Sequence, residues 1–205
     1  MSSTNKNPLR VLVACETSGT VRNAFASRGH SVVSVDLLPA QDGVHSGQHF
    51  ECDVLEYLDK NARHFDLMIA HPPCTHLAVS GARWFKDKQE EQKNAIDFFL
   101  KLTQVEIPAW CIENPVSIMS THYRKPDQKI QPWQHGHQMQ KTTCLWLKNL
   151  PLLKPTNVVD KGEFHTTKSG KKIPLWYNLP ETKDRWQKRS KTFEGIAQAM
   201  AAQWG

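Results

Sequence analysis

The chain lacks any window of 18 apolar residues, and a helix that crosses a bilayer needs about 20. No membrane-spanning helix is expected. Its start, Met1-Ser2-Ser3-Thr4-Asn5-Lys6-Asn7, also lacks the apolar stretch of a secretory signal, so the expected location is the cytoplasm. Cysteine is too scattered for a disulfide framework: Cys15, Cys52, Cys74, Cys111 and Cys144 are odd in number and widely spaced, which reads as reduced thiols. There is no CxxC pair, no GxGxxG loop, no internal repeat and no low-complexity tract. What is present is 205 residues, 39% hydrophobic and 22% charged. That suffices for one packed domain with at most a small appendage, and it excludes disorder.

The net charge of +6 is unevenly placed. Residues 1 to 113 hold 11 basic and 14 acidic side chains, whereas residues 114 to 205 hold 15 and 6. Lys148 to Lys191 alone carries 11 basic and 4 acidic groups, with Trp176, Tyr177 and Trp186 interleaved. Cations mixed with aromatics suit a polyanion whose bases can stack, the footprint of nucleic-acid binding; the alternative is a solvated lysine-rich surface.

Leu9 to Cys15 is a continuous apolar run, as expected of a strand buried on both faces of a parallel sheet. Val21 to Ser27 reads as a helix, Ser31 to Val35 as a second strand, and a third strand ends at Cys52-Asp53-Val54. Further strands are expected at Phe65 to Ala70 and Ala109 to Ile112, with a helix over Asp87 to Gln104 between them. The alternation predicts a doubly wound, Rossmann-like α/β sheet, in which ligands collect at the carboxyl ends of the strands. Beyond it, Tyr123 to Met139 reads as loop, Cys144 to Leu147 as a strand, Lys148 to Arg189 as irregular, and Thr192 to Trp204 as an amphipathic helix. The expected organisation is a catalytic core over residues 1–147, a small basic region over 148–191 and a final helix over 192–205 that packs back on the core.

Each chemically interesting cluster follows a strand. The turn Glu16-Thr17-Ser18-Gly19 can present backbone N–H groups to a ligand. Asp36 stands where α/β nucleotide sites place the acid that bonds ribose hydroxyls, and Asp53 can accept from an adenine amino group. Taken singly, such acids also serve as helix caps or turn formers. Together they describe an adenosine pocket without a phosphate-binding glycine loop, which fits S-adenosylmethionine (SAM) better than NAD or ATP.

His71-Pro72-Pro73-Cys74-Thr75-His76 is the sharpest cluster. Two prolines fix the backbone and remove two N–H donors, so they present Cys74 rigidly at the sheet edge. The thiol reads as a nucleophile or, more plainly, as an inert buried cysteine. His71, Cys74 and His76, or His135, His137 and Cys144, match no recurring zinc spacing, and no metal is expected. Glu113-Asn114-Pro115 closes the next strand. If the two strands are neighbours, Cys74 and Glu113 face one crevice. A thiolate adding to carbon 6 of a pyrimidine, beside a carboxyl that manages the proton at N3, makes carbon 5 nucleophilic toward a sulfonium methyl.

In order, Leu12-Val13-Ala14-Cys15-Glu16-Thr17-Ser18-Gly19, Val35-Asp36, Cys52-Asp53-Val54, His71-Pro72-Pro73-Cys74 and Ile112-Glu113-Asn114-Pro115 resemble the motifs of the cytosine-C5 DNA methyltransferases. The compact methylase-like proteins of bacteriophages are the most similar, which would make the location a host cytoplasm. The resemblance covers about residues 9 to 147. It implies a SAM-dependent methyltransferase fold, Cys74 as nucleophile and Glu113 as its partner at N3. It implies a cofactor site built from Glu16, Thr17, Ser18, Gly19, Asp36, Leu37, Asp53, Val54 and Pro72. It also implies double-stranded DNA as partner, with the target base flipped out, contacted by Pro73, Asn114, Gln140, Lys141, Lys171, Lys172, Arg185 and Arg189. No obligate protein partner is expected. In place of the family's Phe-x-Gly-x-Gly stands Glu16-Thr17-Ser18-Gly19, and Gln140-Lys141-Thr142-Thr143-Cys144 stands for Gln-x-Arg-x-Arg. Two alternatives accompany this expectation: methylation of RNA or a free pyrimidine nucleotide, and a non-catalytic nucleic-acid-binding protein on a decayed scaffold.

Overall fold

A computed structural model describes residues 7–43, 47–178, 182 and 189–205. In chain order the elements are β1 (Arg10–Ala14), α1 (Thr20–Ala26), β2 (Ser31–Asp36), β3 (His49–Glu51), α2 (Val54–Asn61), β4 (Leu67–Ala70), α3 (Gln89–Thr103) and β5 (Ala109–Pro115). They continue with α4 (Met119–His122), β6 (Gln128–Ile130), β7 (Thr143–Lys148), β8 (Phe164–Thr166), β9 (Lys172–Pro174) and α5 (Glu194–Trp204).

Seven strands form one sheet in the order β3-β2-β1-β4-β5-β7-β6. The five strands from β3 to β5 pair in parallel, while β7 runs antiparallel to both β5 and β6. The apolar runs explain the layering. In β1, Val11 and Val13 join a core with α1 and α5, whereas Leu12 and Ala14 join a second core with α2 and α3. Helices therefore cover both faces, and the central strands are buried on both sides. From β1 the chain builds outward through β2 and β3, then returns to place β4 on the other side of β1. That reversal opens a crevice beyond the carboxyl ends of β1 and β4, the usual ligand site of such sheets.

The structure corrects several sequence expectations. Asp53 does not end the third strand: β3 stops at Glu51, and Asp53 is the N-cap of α2, accepting from the Leu55 and Glu56 amides at 2.7 and 3.1 Å. A short carboxylate in extended backbone satisfies orphan helix donors better than it continues a strand. β5 does not end at Ile112 but runs through Pro115, because β7 pairs along it as far as Pro115↔Thr143. The stretch expected as loop contains β6, an edge strand too short to show periodicity, and the basic stretch expected as irregular contains the β8–β9 hairpin. Among the described residues no helix is long and apolar enough to cross a membrane.

Candidate active site

The crevice is built by two loops that are laced together. β4 ends at Ala70, and the His71 amide donates to the Ala14 carbonyl at 2.9 Å, holding the start of the Pro-Pro turn against β1. Pro72 is buried and its carbonyl accepts from Asn114 Nδ2 at 2.9 Å; Asn114 is itself 1% exposed. Past the turn, the amides of Leu77 and Ala78 close back on the Cys74 carbonyl. Val79 N–H donates to Val116 O and Ile118 N–H to Leu77 O, at 3.1 and 3.0 Å. The loop after Cys74 and the loop after Glu113 are thus one backbone-bonded unit, which holds the two residues in one neighbourhood.

Electrostatics report the same proximity. Burial pushes the Cys74 thiol above its ordinary range and the Glu113 charge adds to this, while Lys141 and Arg189 pull the other way. Burial works against the Glu113 carboxylate, but the His71 hydrogen bond, the His71 ring and the Lys141 ammonium outweigh it, so the carboxyl sits below its usual value. His71 Nδ1 lies 3.0 Å from Glu113 Oε2. Lys141 Nζ donates to the Arg189 carbonyl at 3.0 Å and stands 5.2 Å from the centre of the Trp176 ring and 5.8 Å from that of Phe193. A narrow cleft over Glu113 is lined by Lys141, Thr143, Thr192, Phe193 and Ile196. Gln140 faces instead a cavity of about 210 Å³ shared with Met139, Gly162, Glu163, Leu175 and Trp176.

At the other end of the switch point lie the residues assigned to the cofactor. Burial raises the Asp36 carboxyl, opposed by the Leu38 and Leu37 amides and by His49, and Asp36 Oδ1 accepts from the Leu38 amide at 3.0 Å. Leu37 and Leu38 beside it are 68% and 48% exposed. Asp36 and Asp53 both act on the thiol of Cys15, which burial in the first place and their charges in the second push far up. The two acids therefore share one neighbourhood, with Val54 buried at the start of α2.

Glu16 is buried, and its two carboxylate oxygens accept from the Val21 and Arg22 amides at 2.7 and 3.1 Å, with Ser18 Oγ donating to the first. It caps α1. Gly19 has φ +70°, and a Cβ there would collide with the Asp42 carboxylate. Thr17 O accepts from the Gln41 amide at 2.8 Å, so the loop that carries Asp42 folds over this turn.

Sequence reasoning missed two features. One is Arg22, 1% exposed, which donates to Ser34 Oγ at 2.8 Å and ion-pairs with Asp42. Nothing in a seven-residue helix marks which polar side chain will point inward. The other is His71 as partner of Glu113. Its signal was available: strands in register with Ala70 beside Ile112 put the next residues, His71 and Glu113, side by side.

Of the basic residues, Lys171 and Lys172 are exposed on the β8–β9 hairpin, Arg189 is half-buried with its charge felt at Cys74, and Arg185 lies outside the described residues. Pro73 is exposed at the turn. Among the described residues no group of His, Cys, Asp or Glu side chains is placed to hold a metal ion, and all five cysteines are free thiols.

No protein-family model matches the chain, and neither does any curated protein. Among solved structures, a crystal structure of WbdD is similar at a TM-score of 0.43 and 15% identity, over 78% of this chain and 40% of that one. A second, of the bifunctional kinase-methyltransferase WbdD, gives 0.43 and 16% over 78% and 39%. The chain spans about two-fifths of the length of those proteins.

Proposed function

We propose that this protein is a SAM-dependent DNA methyltransferase that methylates carbon 5 of cytosine through a covalent bond to Cys74. The observation that supports the reading is that Cys74 and Glu113 follow adjacent parallel strands, close enough for the Glu113 charge to act on the thiol, with their loops tied by the Asn114–Pro72 hydrogen bond. The cytosine and DNA assignments rest on that pair and on the motif resemblance.

The residues at the ends of β1 to β3 fit SAM in one respect and not in another. Asp36 offers a half-buried carboxylate for ribose hydroxyls beside the exposed apolar Leu37 and Leu38, which suit one face of an adenine ring. Glu16 spends both carboxylate oxygens on the amides of α1, whereas Asp53 caps α2 through Oδ1 alone, so the acidic contacts reduce to Asp36 and Oδ2 of Asp53. Bound SAM supplies the methyl group as an electrophile for carbon 5.

Everything else is done by this chain. The Cys74 sulfur forms a bond to carbon 6 of the base, and the ring electrons displaced toward N3 are met by a proton that Glu113 manages. Carbon 5 is then electron-rich. After methylation its hydrogen leaves as a proton, the carbon 5–carbon 6 double bond re-forms, and Cys74 departs with the electron pair of the C–S bond. Lys141 and Arg189 lower the cost of the thiolate in a crevice where burial and Glu113 raise it. The exposed Lys171 and Lys172 supply positive charge for the phosphate backbone.

Incubation of the protein with SAM and cytosine-containing duplex DNA, followed by nucleoside mass spectrometry, tests the reading. The expected product is 5-methylcytosine. A methylated amino group, or methylation confined to RNA or free nucleotide, replaces it with another transfer reaction, and an unmodified pool in every substrate leaves a nucleic-acid-binding protein.

A further inference from the structure

We propose that His71 is a positioning residue: it occupies Oε2 of Glu113, so that Oε1 alone handles the proton at N3 of the target pyrimidine. The inference rests on the C5 reading above and adds a residue to it. The contact between Nδ1 and Oε2 is 3.0 Å long, and the two side chains are only 9% and 15% exposed. Neither partner is free to leave. The His71 amide is bonded to Ala14 O, the buried Pro72 follows it, and Asn114, next to Glu113, is bonded to Pro72 O.

The tautomer follows from the other ring nitrogen. Nε2 of His71 is buried and has no hydrogen-bond partner among the described residues. A neutral imidazole carries one N–H; placed on Nδ1 it donates to the carboxylate, whereas placed on Nε2 it would be wasted and Nδ1 would set a lone pair against Oε2. Nδ1–H of His71 therefore donates to Oε2 of Glu113. Oε1 makes no hydrogen bond among the described residues and is the oxygen left for chemistry.

The proton then has a closed path. The S–H bond of Cys74 breaks and its proton passes to Oε1; the sulfur bonds to carbon 6, and the electron pair arriving at N3 takes the proton from Oε1. On the return, N3 gives the proton back to Oε1, and the departing Cys74 sulfur recovers it. The net proton released is the one from carbon 5. The titratable groups whose charges act with that of Glu113 are His71 and Cys74 from the end of β4, Lys141 from the segment before β7, Cys111 on β5 itself and Cys144 on β7. Of these only His71 makes a hydrogen bond to it among the described residues.

Three measurements decide the matter. Histidine ¹⁵N shifts of the parent protein, assigned by His71→Asn, should show Nδ1 of His71 protonated; a bare Nδ1 overturns the proposal, and the shifts themselves are read on the unaltered protein. In ¹³C-glutamate protein, with Glu113→Gln for assignment, the Glu113 carboxyl should titrate at higher pH in His71→Phe than in the parent. His71→Asn, which keeps an N–H donor, should restore most of the difference, and a parent-like curve in His71→Phe contradicts the proposal. Covalent trapping on 5-fluorocytosine DNA with SAM should slow about tenfold to a hundredfold at neutral pH in His71→Phe and recover in His71→Asn. Equal trapping rates for parent and His71→Phe across pH also overturn it. If the parent itself forms no adduct, the C5 reading fails, while the shifts and the carboxyl titration still decide what His71 does.

Discussion

The two halves of the crevice spend their polar groups differently. At the ends of β1 to β3, carboxylates hold the local structure: Glu16 caps α1, Asp53 caps α2 through Oδ1, and Asp42 closes over Gly19 onto the side chain of the buried Arg22. At the ends of β4 and β5 the backbone satisfies itself, through the Asn114–Pro72 bond and the ladder joining the two loops, and leaves Cys74 and Oε1 of Glu113 unspent. A group already bonded to its own chain contributes stability. One held in place by its neighbours, with valence to spare, is available for reaction. Substitutions at the first end should therefore cost folding, and those at the second should cost chemistry with folding intact.

The largest effect is expected at Cys74. Cys74→Ser should lose carbon-5 methylation by about a thousandfold or more, since an alcohol is far less ionised than a thiol near neutral pH, and its thermal midpoint should match the parent's. Glu113→Gln should follow at about a hundredfold to ten-thousandfold in rate. Loss of the fold in either variant would erase the contrast.

At the other end, Arg22→Ala should cost about 2–5 kcal/mol of stability by urea unfolding, because it empties the buried volume of the side chain and removes its bonds to Asp42 and Ser34. Asp53→Ala should cost about 1 kcal/mol as a lost cap and weaken SAM, by calorimetry, less than Asp36→Ala does. Asp36→Ala should weaken SAM by about 1.5–3 kcal/mol. A reversal of these two results would move the cofactor contact from Asp36 to Asp53.

Charge supplies a finer comparison. Because burial and Glu113 raise the Cys74 thiol, the reactive thiolate is scarce at neutral pH, and the rate of adduct formation should climb as pH rises through the alkaline range. Lys141→Met removes a charge that favours the thiolate, so the climb should begin at higher pH and converge on the parent at the top. The smallest effect is expected far from the crevice: Lys171→Ser with Lys172→Ser should lower the slope of log K against log salt by about 0.9 per lost phosphate contact.

The adjacency of the Cys74 turn and Glu113 was largely legible before the structure because its signals are sequential. Pro72-Pro73-Cys74 and Glu113-Asn114-Pro115 each announce a rigid strand end, and strand alternation makes them neighbours. The cofactor end was less legible, because there one residue type has two uses. A carboxylate just after a strand reads the same whether it meets a ribose or the first amides of a helix, and only the position of the helix start, three residues or fewer away at Asp53, separates them. Arg22 was illegible for a further reason. Its burial depends on Ser34 and Asp42, partners 12 and 20 residues distant in sequence, and no local pattern encodes such a contact. The short strands β6, β8 and β9 each have three residues, fewer than a period-two pattern needs to declare itself.

The account turns on a sulfur–carbon bond, and duplex DNA containing 5-fluorocytosine examines it directly. Fluorine cannot leave carbon 5 as a proton, so the methylated intermediate should remain attached to the enzyme. With SAM present, peptide mass spectrometry should find the modified pyrimidine on Cys74, and Cys74→Ser should form none. Release of methylated DNA with no adduct on Cys74, or methylation by Cys74→Ser at the parent rate, would contradict covalent carbon-5 chemistry.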